Sequence, residues 1–396
     1  MCNNKDITNY ATLKGHNRPI YSIAFHPNAQ IIATGSDDTT VKLWHISSST
    51  NCIKTLYGNS TRVCFVIFHS NGLYMAICSG YGSAKLYSLR PTTTPTPTVI
   101  PTAPIHTSTN GIPDPIHTAT LFGHSSAIRS LSFHPSLRIL ATGGCDNTIK
   151  LWKFDEDGSN IKCYKTLYNH TSIVCSIIFH PSLCLLATGS CDKTIRLWTL
   201  NENCTNVTYC KTLYGHTNYI FSIAFHPLYS IIGSGSWDKT IKLWSIDNNS
   251  LNMEAIECST TLYGHNDAVY SIAFHPFAPI LASGSSDKTI KLWRFNSTGT
   301  YGQCIMTLYE NIDIIYSITF NTNTMAANSS NNIVKLWNIS NIIPFPYERF
   351  ILAKNHLLTY LSIDIVEKIL KISFNMYGEK RIEEALALTS LTVTAT

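Results

Sequence analysis

The sequence predicts an all-β fold assembled from seven copies of one antiparallel meander, and two observations carry that prediction. A leucine recurs at Leu13, Leu56, Leu121, Leu167, Leu213, Leu262 and Leu308, and an aromatic recurs at Trp44, Tyr87, Trp152, Trp198, Trp244, Trp293 and Trp337. Leucine and aromatic are 31 positions apart in the first six units and 29 in the last. Between these markers lie short runs rich in β-branched and aromatic residues, broken by turn residues, which is the pattern of strands inside a repeat.

The clearest unit runs from Thr212 to Trp244. Ile220 to Phe225 is apolar, β-branched and too short for a globular helix; His226-Pro227 ends it, because proline has no N–H for a ladder and restricts the residue before it. Ser230 to Ser236 reads as a second strand, Trp237-Asp238-Lys239-Thr240 as a tight turn, and Thr240 to Trp244 as a third strand. One such meander cannot bury both of its faces, so it must stack on copies of itself.

Unit one, Thr12 to Ile46, is complete. Unit two, Thr55 to Leu89, carries Asn59, Tyr81 and Tyr87 where other units have His, Asp and Trp. Arg90 to Ala119 is rich in Pro and Thr without strand or helix period, and reads as an extended loop insertion (90–119) between units two and three. Units three to six are complete. Unit seven, Thr307 to Ile339, is two residues short near Asn321, with Glu310-Asn311 in place of Gly-His and Asn331 in place of Asp. The tail, residues 341–396, changes character. Leu361, Ile365, Ile369 and Ile372 fall on one helical face, so the tail is expected to be partly helical.

The recurrent residues are Gly15-His16, Gly123-His124, Gly215-His216 and Gly264-His265, with Asn169-His170 as a variant, and the turn aspartates Asp38, Asp146, Asp192, Asp238 and Asp287. In this register the unit resembles the WD40 repeat, although its closing Trp is never followed by Asp. The resemblance implies a seven-bladed WD40-type β-propeller over residues 10–340, with a short helical C-terminal tail. Each repeat would supply the outer strand of one blade and three strands of the next. Tyr10 to Lys14 would then close the ring on unit seven, removing exposed strand edges.

The resemblance also implies buried tetrads: His16, Thr34, Asp38 and Trp44; His124, Thr142, Asp146 and Trp152; His170, Thr188, Asp192 and Trp198; His216, Ser234, Asp238 and Trp244; His265, Ser283, Asp287 and Trp293. Donors and acceptors match along each set. Units two and seven lack the set and are expected to be the loosest. Five near-identical copies argue against a hydrolase triad, which needs one asymmetric site. The His-Pro series His26, His134, His180, His226 and His275 reads as turn histidines, since metal ligands on separate blades would lie far apart.

Composition narrows function further. A net charge of +5 from 29 basic and 24 acidic residues is too weak and dispersed to argue for nucleic acid. Thirteen cysteines are an odd number without a C-x-x-C, which reads as reduced thiols used as small apolar residues. No signal peptide and no membrane-length apolar run appear, so a cytoplasmic or nuclear location without membrane contact is expected. No cofactor, metal or catalytic residue is indicated. Variation between units marks the partner-binding candidates: Asp37, Trp237 and Ser286 just before the turn aspartates, and Tyr219 and Arg62 just before the first strands. The expected function is a non-catalytic protein–protein interaction scaffold for other proteins or peptides. The alternative is a ubiquitin-ligase substrate receptor, from the loose likeness of Leu361 to Leu370 to the start of an F-box.

Overall fold

A computed structural model describes residues 7–46, 50–90, 112–246, 256–309 and 313–343. These residues form 28 strands in seven four-stranded antiparallel sheets. The first blade consists of β2 (Ile20–Phe25), β3 (Ile31–Ser36), β4 (Val41–His45) and β5 (Asn51–Leu56), from inner to outer strand. Five further blades repeat that order. In the seventh, Ile315–Phe320, Thr324–Ser329 and Ile333–Asn338 are completed by β1 (Thr8–Lys14), which pairs Asn9 with Trp337 and Leu13 with Val334. The inner strands of successive blades pack side by side, and the last packs against β2. The chain is therefore a closed seven-bladed propeller.

The blades stack because each second strand is apolar or small on both faces and is almost wholly buried, whereas third strands alternate buried and half-buried. The apolar clusters bridge neighbouring sheets: Ile31 and Leu43 of the first blade pack with Val63, Val66 and Met75 of the second. A recurrent glycine in the second strand permits this approach. A Cβ on Gly143 would lie 2.7 Å from Val174, and one on Gly235 2.8 Å from Val269, each on the next blade. At the closing seam Asn328 stands at the glycine position and donates to the Ile20 carbonyl instead.

Polar staples join the blades as well. Serines on the inner strands accept from the next blade's backbone, as in Ile177 N–H to Ser130 at 2.9 Å, Ile223 to Ser176 at 3.0 Å and Ile272 to Ser222 at 3.1 Å. The His-Pro histidines cap their own turns and reach across the seams. His226 Nδ1 accepts from Leu228 and Tyr229, while its Nε2 lies 3.3 Å from the Ala278 carbonyl; His275 repeats this with Thr322 at 2.7 Å. Burial without a charge partner pushes His275 down to about 4 and His226 to about 3, keeping both neutral at pH 7.

The Pro/Thr-rich insertion needs a correction at its end. Ile116–Phe122 is the outer strand of the second blade, with Ala119 opposite Leu86, so Ile116 to Ala119 are strand and not loop. The insertion falls inside that blade, between its third and outer strands. The unpaired edge of Ser83–Ser88 supplies the physical reason, since it recruits the first chain able to pair with it. Residues 91–111 and the expected helices of the tail lie outside the described residues. The described part of the tail is a short 3-10 turn, Ser340–Ile342, whose Ile342 is buried.

Candidate functional site

The five His/Ser-or-Thr/Asp/Trp sets form continuous hydrogen-bond chains. In the fifth blade His216 Nδ1 lies 2.7 Å from Asp238, its Nε2 lies 2.7 Å from Ser234 Oγ, and Trp244 Nε1 donates to that oxygen at 2.9 Å. The sets of His16, His124, His170 and His265 repeat these contacts within a few tenths of an ångström. A neutral imidazole satisfies every position: Nδ1–H donates to the carboxylate and Nε2 accepts the hydroxyl proton. Burial lowers His16 and His124 below the usual imidazole value, against the pull of their aspartates. Burial alone would raise Asp238, but the hydrogen bonds from His216 and Thr240 outweigh it and hold the carboxyl well below its usual range.

Sequence reasoning missed a fifth member, the threonine two residues after each aspartate. Thr40, Thr148, Thr194, Thr240 and Thr289 all donate to it, Thr240 at 2.6 Å. The signal was present, since that threonine recurs in all five units. None of these sets is open to substrate: the histidine side chains are 0–1% exposed and the aspartates 6–9%. Blade two replaces the network with apolar packing of Ile77 and Tyr87. Blade seven keeps Trp337 but places Ala327 where the others have the hydroxyl, and Trp337 Nε1 is buried with no hydrogen-bond partner among the described residues.

Asymmetry lies at one end of the central channel. The residue before each turn aspartate donates its N–H to the carbonyl three residues after the histidine, as Trp237 does to Tyr219 at 2.8 Å, Asp37 to Pro19 at 2.8 Å and Ser286 to Ala268 at 2.9 Å. Trp237, Tyr219, Asp37 and Ser286 therefore share one end of the ring. Trp237 is 42% exposed and Tyr219 38%, edge to face with centroids 5.3 Å apart. Asp37 is tied to Arg18 at 3.4 Å, and Ser286 is half-buried. Arg62 lies over the Tyr21 ring at 5.7 Å.

A cavity of about 250 Å³ opens here, lined by residues from all seven blades. Its wall is sorted by chemistry. Rings contact one another in an unbroken arc, Tyr21 to Tyr316 to Tyr270 to Phe221 to Trp237 to Tyr219, with centroids 4.8–5.8 Å apart. The rest of the wall carries Arg62, Cys64 and Phe65 of the second blade, Arg129 of the third and Cys175 of the fourth. Cys175 and Cys191 sulfurs are 3.2 Å apart; the hydrogen bond from Cys175 lowers Cys191, and the same contact together with burial raises Cys175. The seven residues at the second place of each inner strand supply most of this wall. Sequence reading found Arg62 in this wall and Trp237 and Tyr219 at its margin, but not the other lining residues.

The family model for the WD domain, G-beta repeat, matches at residues 7–45, 50–88, 115–153, 161–199, 207–245 and 256–294, together more than half of the chain. The chain belongs to the WD40-repeat family. The seventh unit, without Gly-His or the turn aspartate, falls outside the matched segments. Among similar proteins, the transcriptional corepressor LEUNIG_HOMOLOG of Arabidopsis thaliana is 27% identical over 38% of this chain and 16% of its own length. Pre-mRNA-processing factor 19 of Oryza sativa subsp. japonica is 31% identical over 36% of this chain and 23% of its own, and that of Mus musculus 26% over 37% and 25%. The chain thus matches a quarter or less of the length of these relatives. Among the described residues no helix is long and apolar enough to cross a membrane.

Proposed function

We propose that this WD40 propeller is a non-catalytic scaffold that docks protein partners on the channel-mouth face, with Trp237 and Tyr219 as anchors. The observation that carries the reading is the continuous aromatic arc, which ends in two rings left more than a third exposed. Exposure alone would not single them out. Tyr57, Phe122, Tyr168, Tyr214, Tyr263 and Tyr309 are 68–76% exposed, but they recur one per blade at the outer rim. Trp237 has no aromatic counterpart before any other turn aspartate, so the blade does not require it. A large aromatic held rigidly beside a cavity is the usual form of an interface anchor. Relatives named as a transcriptional corepressor and a pre-mRNA-processing factor support a regulatory or assembly role, in the nucleus or cytoplasm.

The test is quantitative affinity capture with the full chain, comparing wild type, Trp237→Ala and the rim control Tyr168→Ser. Selective loss of the same partners from Trp237→Ala, with an unchanged melting temperature, is expected. Identical partner profiles for all three proteins would remove the assignment.

A further inference from the structure

Resting on that reading of the face, we propose that the cavity at its centre receives a phosphorylated tyrosine side chain of the partner. Three features of the wall combine to define the occupant. The first is size. About 250 Å³ is below the roughly 300–1,000 Å³ of pockets that enclose whole small molecules, so the occupant is on the scale of one side chain entering from a docked chain.

The second is charge. Arg62 and Arg129 both line the cavity, no carboxylate lines it, and neither guanidinium takes part in an ion pair among the described residues. Arg18, by contrast, is matched with Asp37 at the rim. Two guanidiniums in one small cavity with no carboxylate in its wall call for an anion. Planar N–H forks suit a tetrahedral oxyanion with several acceptor oxygens, and the partly desolvated setting strengthens charge-assisted hydrogen bonds.

The third is the arrangement of the wall. Tyr21, Tyr316, Tyr270 and Phe221 form one side on four consecutive blades; Arg129 stands on the third blade, and Arg62, on the second, lies over the Tyr21 ring at the end of the arc. A bare phosphate or a phosphoserine would meet the arginines and leave the aromatic arc wet. An unmodified tyrosine would pack on the arc and leave both guanidiniums unanswered. A phenyl ring bearing a phosphate satisfies both sides at once, with the ring edge-to-face or stacked on the arc and the dianion between Arg62 and Arg129.

The experiment measures binding of the full chain to four degenerate peptide pools that differ only at the central residue: phosphotyrosine, tyrosine, phosphoserine or glutamate. The phosphotyrosine pool is expected to bind at least tenfold tighter than each of the others and to weaken steeply as salt is raised. Arg129→Gln and Arg62→Gln, each checked for an unchanged melt, should each lose tenfold or more for that pool alone. Tyr316→Leu should reduce its preference over phosphoserine. Equal binding of phosphotyrosine and tyrosine, equal binding of phosphotyrosine and phosphoserine, or indifference to both arginine substitutions would each overturn the proposal. If these peptides fail while Trp237→Ala still loses partners, the docking face stands and only the ligand assignment falls. If Trp237→Ala is also silent, both fall.

Discussion

Ala327→Ser should stabilise the protein. In five blades a Trp indole N–H donates to a Ser or Thr hydroxyl ten residues earlier, at 2.8–3.1 Å. Trp337 is equally buried, 1% exposed, but the residue ten earlier is Ala327 and the indole N–H has no partner among the described residues. A buried donor left unmade costs about 1–3 kcal/mol, and a completed bond contributes about 0.5–1.5 net. Ala327 pairs with Lys335 in the same register as Thr34 with Lys42, whose carbonyl lies 3.3 Å from the Thr34 hydroxyl. The new hydroxyl would thus face a carbonyl as well as the indole. Allowing for its own desolvation, a gain of about 1 kcal/mol is expected. With an unfolding entropy of about 2.1 cal/mol/K per residue over the whole propeller, that is roughly 1.5 °C in Tm. Calorimetry and urea unfolding followed by tryptophan fluorescence measure it. Ala326→Ser is the control: Ala326 is fully buried on the opposite face, and a hydroxyl there should cost about 1–3 kcal/mol. A lowered Tm for Ala327→Ser, or equal effects at both positions, would refute the reasoning.

Asp238→Ala should destabilise by about 1–3 kcal/mol, because it strips the acceptor from His216, Thr217 and Thr240; Asn331→Ala, which loses the bond from Ser329, should cost less in the same urea titration, and equal losses would sink the network argument. Stability should fall with acid from pH 6.5 down. His134, His226 and His275 have folded values lowered to about 4, 3 and 4, so the unfolded chain takes up their protons first, at about 1.4 kcal/mol per pH unit for each histidine; the depressed aspartates add a further loss below about pH 4. A urea midpoint unchanged between pH 7 and 5 would contradict this. Deleting residues 1–14 removes β1 and bares the edge of Ile333–Asn338, so aggregation is expected by size-exclusion chromatography, and a monodisperse deletion protein with an unchanged melt would show that β1 does not seal the ring.

Most of the fold was legible because the repeat writes the same physics several times. The His-Pro ends of the inner strands, the turn aspartates and the closing tryptophans occupy corresponding places in five blades, and a pattern seen five times is hard to misread. Illegible parts are those where a residue's role depends on the neighbouring blade. Ser222 and Gly235 look like ordinary strand residues in sequence. Only the stacked structure shows the serine holding the Ile272 N–H and the glycine making room for Val269. The boundary of the insertion failed for the same reason: Ile116–Ala119 follows a long unpatterned stretch, and its partner Leu86 lies across that stretch.

The channel mouth was the least legible part, and the reason bears on function. Tyr21, Phe221, Tyr270 and Tyr316 sit at equivalent places in units far apart in sequence, and the first and last meet only because the ring closes. A symmetric stack of blades needs no particular residue at that place, since the side chain points into the channel and leaves the sheets' own packing alone. Packing demands would therefore scatter residue types around the ring. Instead rings occupy that place in four consecutive blades, while arginine and cysteine occupy it in the other three, with Arg62 and Phe65 flanking it on the second blade. Beyond the contact of Arg62 with the Tyr21 ring, stability gains little from gathering two guanidiniums with no carboxylate beside four aromatic rings, because like charges repel and the rings leave apolar surface wet. A ligand with an apolar body and an anionic head gains from both halves of the wall, so the sorting is better accounted for by what enters the channel than by what builds it.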